Sequence, residues 1–144
     1  MPYQLTIVTA DRTVLTEEAD MVIAPGGAGE LGILPRHIPL LTTLKPGVLR
    51  VLQNGEWHIL AVAGGFMQVD QRGVTILADA AERAEEIDEA RAQEARRRAE
   101  AELEAAPDVQ ARAEAQLQLL QAIARISAVQ HRRGHPRATQ PQQQ

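Results

Sequence analysis

Few side chains in this 144-residue chain are suited to covalent or metal chemistry. Ser127 is the only serine and falls mid-helix, away from the strand-to-helix turn that presents a nucleophile. His37, His58, His131 and His135 show no metal-ligand spacing with carboxylates. Pro25 to Gly29 is glycine-rich but lacks the Lys-Ser/Thr ending of a phosphate-binding loop, so it reads as a turn. Arg96-Arg97-Arg98 is flanked by glutamates, as on a solvated helix face, which argues against nucleic acid. The absence of cysteine excludes thiol nucleophiles, disulfides and cysteine-held metal. The expectation is a chain with no catalytic set, no metal and no required cofactor. What remains is recognition. Arg36 and His37 stand between two prolines, and Asp88 and Arg91 stand three residues apart at a helix start. Arg125, His131, Arg132 and Arg133 gather near the far end.

The elements that must position these residues follow from local pattern. In Gly29–Gly47, Pro35, Pro39 and Pro46 remove backbone donors, so no long helix can cross the stretch. Its apolar runs, Leu31 to Leu34 and Ile38 to Leu44, predict two short buried strands joined by a rigid loop holding Arg36 and His37 outward. Upstream, Gln4 to Thr9 alternates as a half-buried strand, Thr13 to Leu15 begins a return, and Met21 to Ile23 is a third strand. Glu17, Glu18 and Asp20 read as a solvated bend between them. Downstream, Val48 to Leu52 and Trp57 to Ala63 flank Asn54-Gly55, the strongest short hairpin signal in the chain. His58 reads as a half-exposed sheet residue. Phe66 to Val69 and Val74 to Ala78 follow. Many short strands at near-regular spacing predict an all-β sandwich or flattened barrel over residues 1–80.

At Asp79 the composition changes to Ala, Glu, Arg and Gln, strong helix formers. After a linker at 81–87, Asp88 and Asp108 each cap a helix of about 20 residues, and Pro107 separates the two. The result is an antiparallel helical hairpin over 88–133, with 134–144 a disordered tail. Ala92, Ala95, Ala99, Leu103 and Ala106 line one face of the first helix. Leu117, Leu120, Ala124 and Ser127 line the second, widened by Ile123 and Ile126. A seam so rich in alanine holds weakly, since each buried methyl-sized group contributes only ~0.8 kcal/mol. Glu94–Arg98, Arg96–Glu100 and Arg98–Glu102 pairs support the first helix itself. The helices should therefore keep their shape better than their contact, although a permanently packed hairpin fits the same residues.

The net charge of −4 is unevenly spread. Residues 80–114 carry eleven acids against six arginines, whereas 115–144 carry four arginines and no acid. An acidic partner for the far end follows. With one Trp, one Tyr and one Phe, stacking platforms for bases are nearly absent. No run approaches a membrane span, and the N-terminus lacks a secretory pattern. The expectation is no direct membrane insertion and a soluble, cytoplasmic-side location.

Read letter by letter, Gly29–Gly47 resembles the signature of the epsilon subunit of bacterial F-type ATP synthases. Gly64-Gly65-Phe66 and Val74 to Asp79 fit the same family, and the resemblance runs from Tyr3 to about Arg133. It implies a central-stalk rotor subunit at the cytoplasmic face of the bacterial inner membrane, coupling proton flow to ATP synthesis. The sandwich would bind the gamma subunit and c-ring, with Glu30, Arg36 and His37 in the contact loop. The mobile hairpin would reach the alpha/beta catalytic head through Arg125, His131 and Arg132 and inhibit hydrolysis. Glu82 and Ile87-Asp88-Glu89-Ala90-Arg91-Ala92 look like the family's Ile/Leu-Asp-x-x-Arg-Ala motif. In some relatives that motif, with two basic residues on the second helix, binds regulatory ATP. By that resemblance Glu82, Ile87, Asp88, Arg91, Ala92 and Arg125 are the ATP set, with Gln121 standing where a second basic residue belongs. Apart from the resemblance, a free-standing adaptor or chaperone-like module fits the same composition.

Overall fold

In the computed structural model, residues 1–134 are described. Ten strands form one strongly bent sheet: β1 (Tyr3–Val8), β2 (Thr13–Ala19), β3 (Met21–Gly26), β4 (Gly29–Ile33), β5 (Leu40–Leu44), β6 (Gly47–Gln53), β7 (Glu56–Val62), β8 (Gly65–Asp70), β9 (Gly73–Ala78) and β10 (Ala81–Arg83). The strand order is β10-β7-β6-β3-β5-β8-β9-β1-β2, with β4 paired to β3. Every pairing is antiparallel except β1 with β9. The two ends of the sheet approach one another where Arg83 Nη2 donates to the Val14 carbonyl at 3.5 Å. This is the predicted sandwich, nearly closed. Two helices follow, α1 (Glu89–Ala105) and α2 (Val109–Gly134).

The sandwich core is aliphatic, as one Trp, one Tyr and one Phe require. Leu5, Ile7, Val22, Leu49, Met67 and Ile76 are completely buried in it. Asn54 and Gly55 both have positive φ, 50° and 81°, which matches the right-handed twist of the β6–β7 hairpin. At Gly65, φ is +136° and a Cβ would stand 2.0 Å from the Leu77 carbonyl oxygen, so only glycine lets β8 start against β9.

Several segments depart from the pattern-based expectations. Glu17 and Glu18 are not a bend: β2 continues through Ala19. It pairs only with β1, so its outward glutamates guard a sheet edge. The Gly29–Gly47 runs are not wholly buried, and their strands do not pair with each other. Leu34, Ile38 and Leu41 are 56%, 73% and 71% exposed. The 81–87 span expected as a linker holds β10, paired Ala81↔Val62, Glu82↔Ala61 and Arg83↔Leu60, and a 3-10 turn at Ala84–Glu86. The tail expected from 134 starts at the last residue of α2, and 135–144 lie outside the described residues.

The hairpin is folded, and both caps form as expected. Asp88 accepts from the Arg91 amide at 3.2 Å, and Asp108 from the Ala111 amide at 2.8 Å. The predicted α1 face is the one turned inward, and Ala124 and Ile126 of α2 are buried as expected, but the other large residues of the predicted α2 face are not. Ala92 and Ala99 of α1 and Ala115 and Ala122 of α2 are buried, whereas Leu117, Leu120 and Ile123 are exposed. Alanines let the backbones approach closely, and a helix this rich in apolar residues offers more than one face at 3.6-residue spacing. On α1, Arg96 pairs with Glu100 at 3.9 Å. Glu94 takes Arg97 at 2.8 Å, one residue short of the expected Arg98.

Tyr3 fastens β1 across the sandwich, its hydroxyl donating to the Ile33 carbonyl at 2.6 Å. Burial pushes its ionisation well above the ordinary value of 10.0. The folded state therefore favours the neutral phenol. The resulting stability is present below that value and is lost as pH rises above it. Because Tyr3 is the only tyrosine, absorbance titration reads it alone. The native chain should titrate above 10.0, and the chain unfolded in denaturant should return to that ordinary value. An ordinary midpoint in the native chain would contradict the placement of the ring.

Candidate functional site

Two outer faces of the sandwich differ in what covers them. On the β6–β7 side, Val48, Ile59 and Ala61 point away from the main core and pack with Ala84 and Ala128, flanked by Trp57 and Ile87. Ala128 of α2 is completely buried there, so the hairpin covers this face. That explains why Ile59-Leu60-Ala61-Val62 is a continuous buried run: Leu60 and Val62 face the sandwich core, Ile59 and Ala61 the helix. On the β5–β8–β9 side no element of the described chain provides a cover. Leu41, Phe66 and Leu77 are exposed at 71%, 52% and 54%, with Phe66 and Leu77 directly paired across strands.

The loop between β4 and β5 stands at one end of the sandwich. Arg36, at φ 68°, makes the sharp reversal and is exposed. His37 is half-buried rather than held outward, its Nδ1 2.7 Å from the Ile38 carbonyl. The loop borders a groove of about 520 Å³ lined by Met1, Tyr3, Leu34, Arg36, His37 and Ile38 among others. Glu30 lies on β4 and pairs across β3 with Arg50 of β6, at 3.1 and 3.3 Å.

At the base of the hairpin the structure brings Glu82 and Arg125 together. Arg125 Nε donates to Glu82 Oε1 at 2.7 Å and Nη2 to Oε2 at 3.3 Å, a forked pair between β10 and α2. Ile87 packs in the cluster under α2, and Ala92 is buried in the α1–α2 seam. Asp88 is engaged as the α1 cap, and Arg91 is exposed. The cleft beside Gln121 and Arg125 measures about 80 Å³, well under the several hundred Å³ of small-molecule sites. At the end of α2, Arg133 pairs with Glu89, His131 Nδ1 lies 3.0 Å from the Ser127 carbonyl, and Arg132 is exposed. Sequence reasoning missed Arg50, Glu89 and the exposed Leu117–Leu120–Ile123 stripe. The first two find partners 20 and 44 residues away, and no local spacing signals such pairs.

A small aliphatic sandwich with one bare apolar face and a helical hairpin docked on another defines a two-domain partner-binding protein. Residues 2–84 match the ATP synthase Delta/Epsilon chain β-sandwich domain, and residues 85–130 the long alpha-helix domain of the same chain. The ATP synthase epsilon chain of Herpetosiphon aurantiacus is 51% identical over 133 residues, covering 92% of this chain and 98% of that one. That of Desulforamulus reducens is 48% identical over 127 residues, covering 88% and 96%. A chain in the Euglena gracilis mitochondrial ATP synthase structure superposes with a TM-score of 0.79 at 27% identity, covering 89% of this chain and 81% of that one. This chain belongs to the ATP synthase delta/epsilon chain family. Its role is that of an epsilon subunit of the F-type ATP synthase.

The cap at Asp88 is directly testable. Asp88→Ala should cost about 1 kcal/mol by leaving first-turn donors of α1 without an acceptor. Amide exchange in that turn should accelerate while the sandwich amides stay protected. Unchanged exchange there would mean that Asp88 serves something other than the helix end.

Proposed function

We propose that this chain is a non-catalytic rotor subunit of the central stalk, held at the cytoplasmic face of a bacterial inner membrane by its partners. The bare β5–β8–β9 face and the 34–39 loop, with Arg36 and His37, form the surface for the gamma subunit and c-ring, and Glu30 adds to it from the far end of β4 rather than from that loop. The hairpin is a brake on ATP hydrolysis. Closed on the sandwich it is idle, and extended it carries Arg125, His131 and Arg132 to an acidic segment of the catalytic head.

One observation carries this reading: the sandwich has its own large aliphatic core, and the hairpin touches it through a separate, smaller cluster centred on Ala128. Two cores with a thin joint allow one domain to leave without unfolding the other. Truncation after Ala84 keeps every strand and should leave assembly with gamma and c-ring intact. ATP hydrolysis by the reconstituted complex should rise, and Arg132→Ala should give part of the same release. Equal rates for full-length and truncated complexes, under conditions that favour hydrolysis, would reject the brake.

ATP enters as a regulatory ligand of Glu82, Ile87, Asp88, Arg91, Ala92 and Arg125. Its binding is weak, because Gln121 supplies no charge and Arg125 is already paired. Gln121→Arg should tighten binding by on the order of 1.5–3 kcal/mol through a second fork onto phosphate. Calorimetric titration of both chains decides it. Tight binding by the natural chain with no gain from the substitution would place the nucleotide elsewhere.

A further inference from the structure

We propose that this chain latches its own hairpin, with the Glu82–Arg125 pair holding α2 on the sandwich in place of a ligand, so that the closed form is the nucleotide-free resting state. The inference rests on the reading of the hairpin as a movable element.

The position of the pair is the first argument. Glu82 is fixed by β10, whose register sets it opposite Ala61, a residue of the patch that α2 covers. Arg125 lies one helical turn before Ala128, the residue buried in that patch. The pair thus stands beside the apolar contact and spans sandwich and hairpin. The Glu89–Arg133 pair joins α1 to α2 and moves with the hairpin, so it does not oppose undocking.

Exposure is the second argument. The Arg125 and Glu82 side chains are 30% and 35% exposed, intermediate between a surface pair and a buried one. Such a pair escapes most of the desolvation cost of burial, yet its two-point geometry strengthens it beyond a flexible surface contact. On the α2 side the neighbouring apolar contact is made by a small residue, Ala128, set against Val48, Ile59, Ala61 and Ala84. The charge pair adds a directional, salt-sensitive contribution to that apolar contact. The same geometry also occupies the guanidinium that a phosphate would need.

The chain has no native cysteine, so cysteines introduced at Gln71 and Ala101 accept spin labels uniquely. Pulsed electron resonance on the full-length chain then reads the sandwich-to-hairpin distance. Without nucleotide, one closed population is expected, and added salt should erode it. Glu82→Gln should raise the open-to-closed ratio about fivefold to tenfold. The exchanged pair, Glu82→Arg with Arg125→Glu, should restore closure, and Glu89→Gln should leave docking unchanged. Circular dichroism confirms that each variant is folded. An unchanged ratio in Glu82→Gln, no recovery in the exchanged pair, or closure only when ATP is added would overturn the latch. Hydrolysis by the reconstituted complex separates the two readings. An open Glu82→Gln hairpin with unaltered hydrolysis keeps the latch and rejects the brake. A closed Glu82→Gln hairpin in a complex that truncation activates rejects the latch and keeps the brake.

Discussion

The docking of Ala128 against Val48, Ile59 and Ala61 is the contact on which the arrangement of the two domains depends. Strands β6 and β7 are sandwiched between the main core and a helix, so where the helix lies on them both faces are apolar. That demand removes the usual inside-outside alternation from this part of the sheet and commits it to the hairpin. Exposing the patch would place Val48, Ile59 and Trp57 in water, a modest area by the standards of a domain core. On the proposed brake, the closed form would be favoured without being obligatory. A larger helix residue at 128 would hold more apolar area but would also push α2 away from the sheet, weakening the reach of Arg125 to β10.

The same economy runs through the seam between the helices. Ala92, Ala99, Ala115 and Ala122 bring the backbones close, and each contributes about a methyl group's worth of burial. The caps at Asp88 and Asp108 and the Glu94–Arg97 pair act within a helix or at its end, and they persist whatever the hairpin does. Helix-internal support and inter-helix contact are thus carried by different residues. That separation allows an element to move as an intact body.

Much of this was legible in the residues. Asn54-Gly55 marks its hairpin because few other pairs accept two positive φ values, and Pro107-Asp108 marks the helix break by missing donor and cap together. Ala81-Glu82-Arg83 hid its strand because all three are good helix formers. Only the free edge of β7, distant in sequence, makes them extended. Leu117 and Leu120 misled by their size, since the largest apolar residues of a helix usually define its buried face. Here close backbone approach selects the alanines instead. Glu82 and Arg125 were both marked by the family motif, but their mutual contact spans 43 residues and left no local trace.

The uneven charge of the chain acquires a physical meaning in the folded hairpin. Acidic residues dominate 80–114 and basic ones the segment after it, and the folded chain pairs the two populations within the hairpin at Glu89–Arg133 and across to the sandwich at Glu82–Arg125. Docking on the sandwich therefore neutralises Arg125, one of the arginines that would attract an acidic surface. Opening costs the Glu82–Arg125 pair and frees Arg125, so the charge available to a partner is coupled to the position of the helix that carries it. The contribution of Arg125 to attraction toward an acidic surface grows as the helix departs, and it is screened within about 8 Å at physiological salt. On the proposed brake, such coupling would make the hairpin respond to a nearby acidic surface more steeply than a helix whose charge is all permanently exposed.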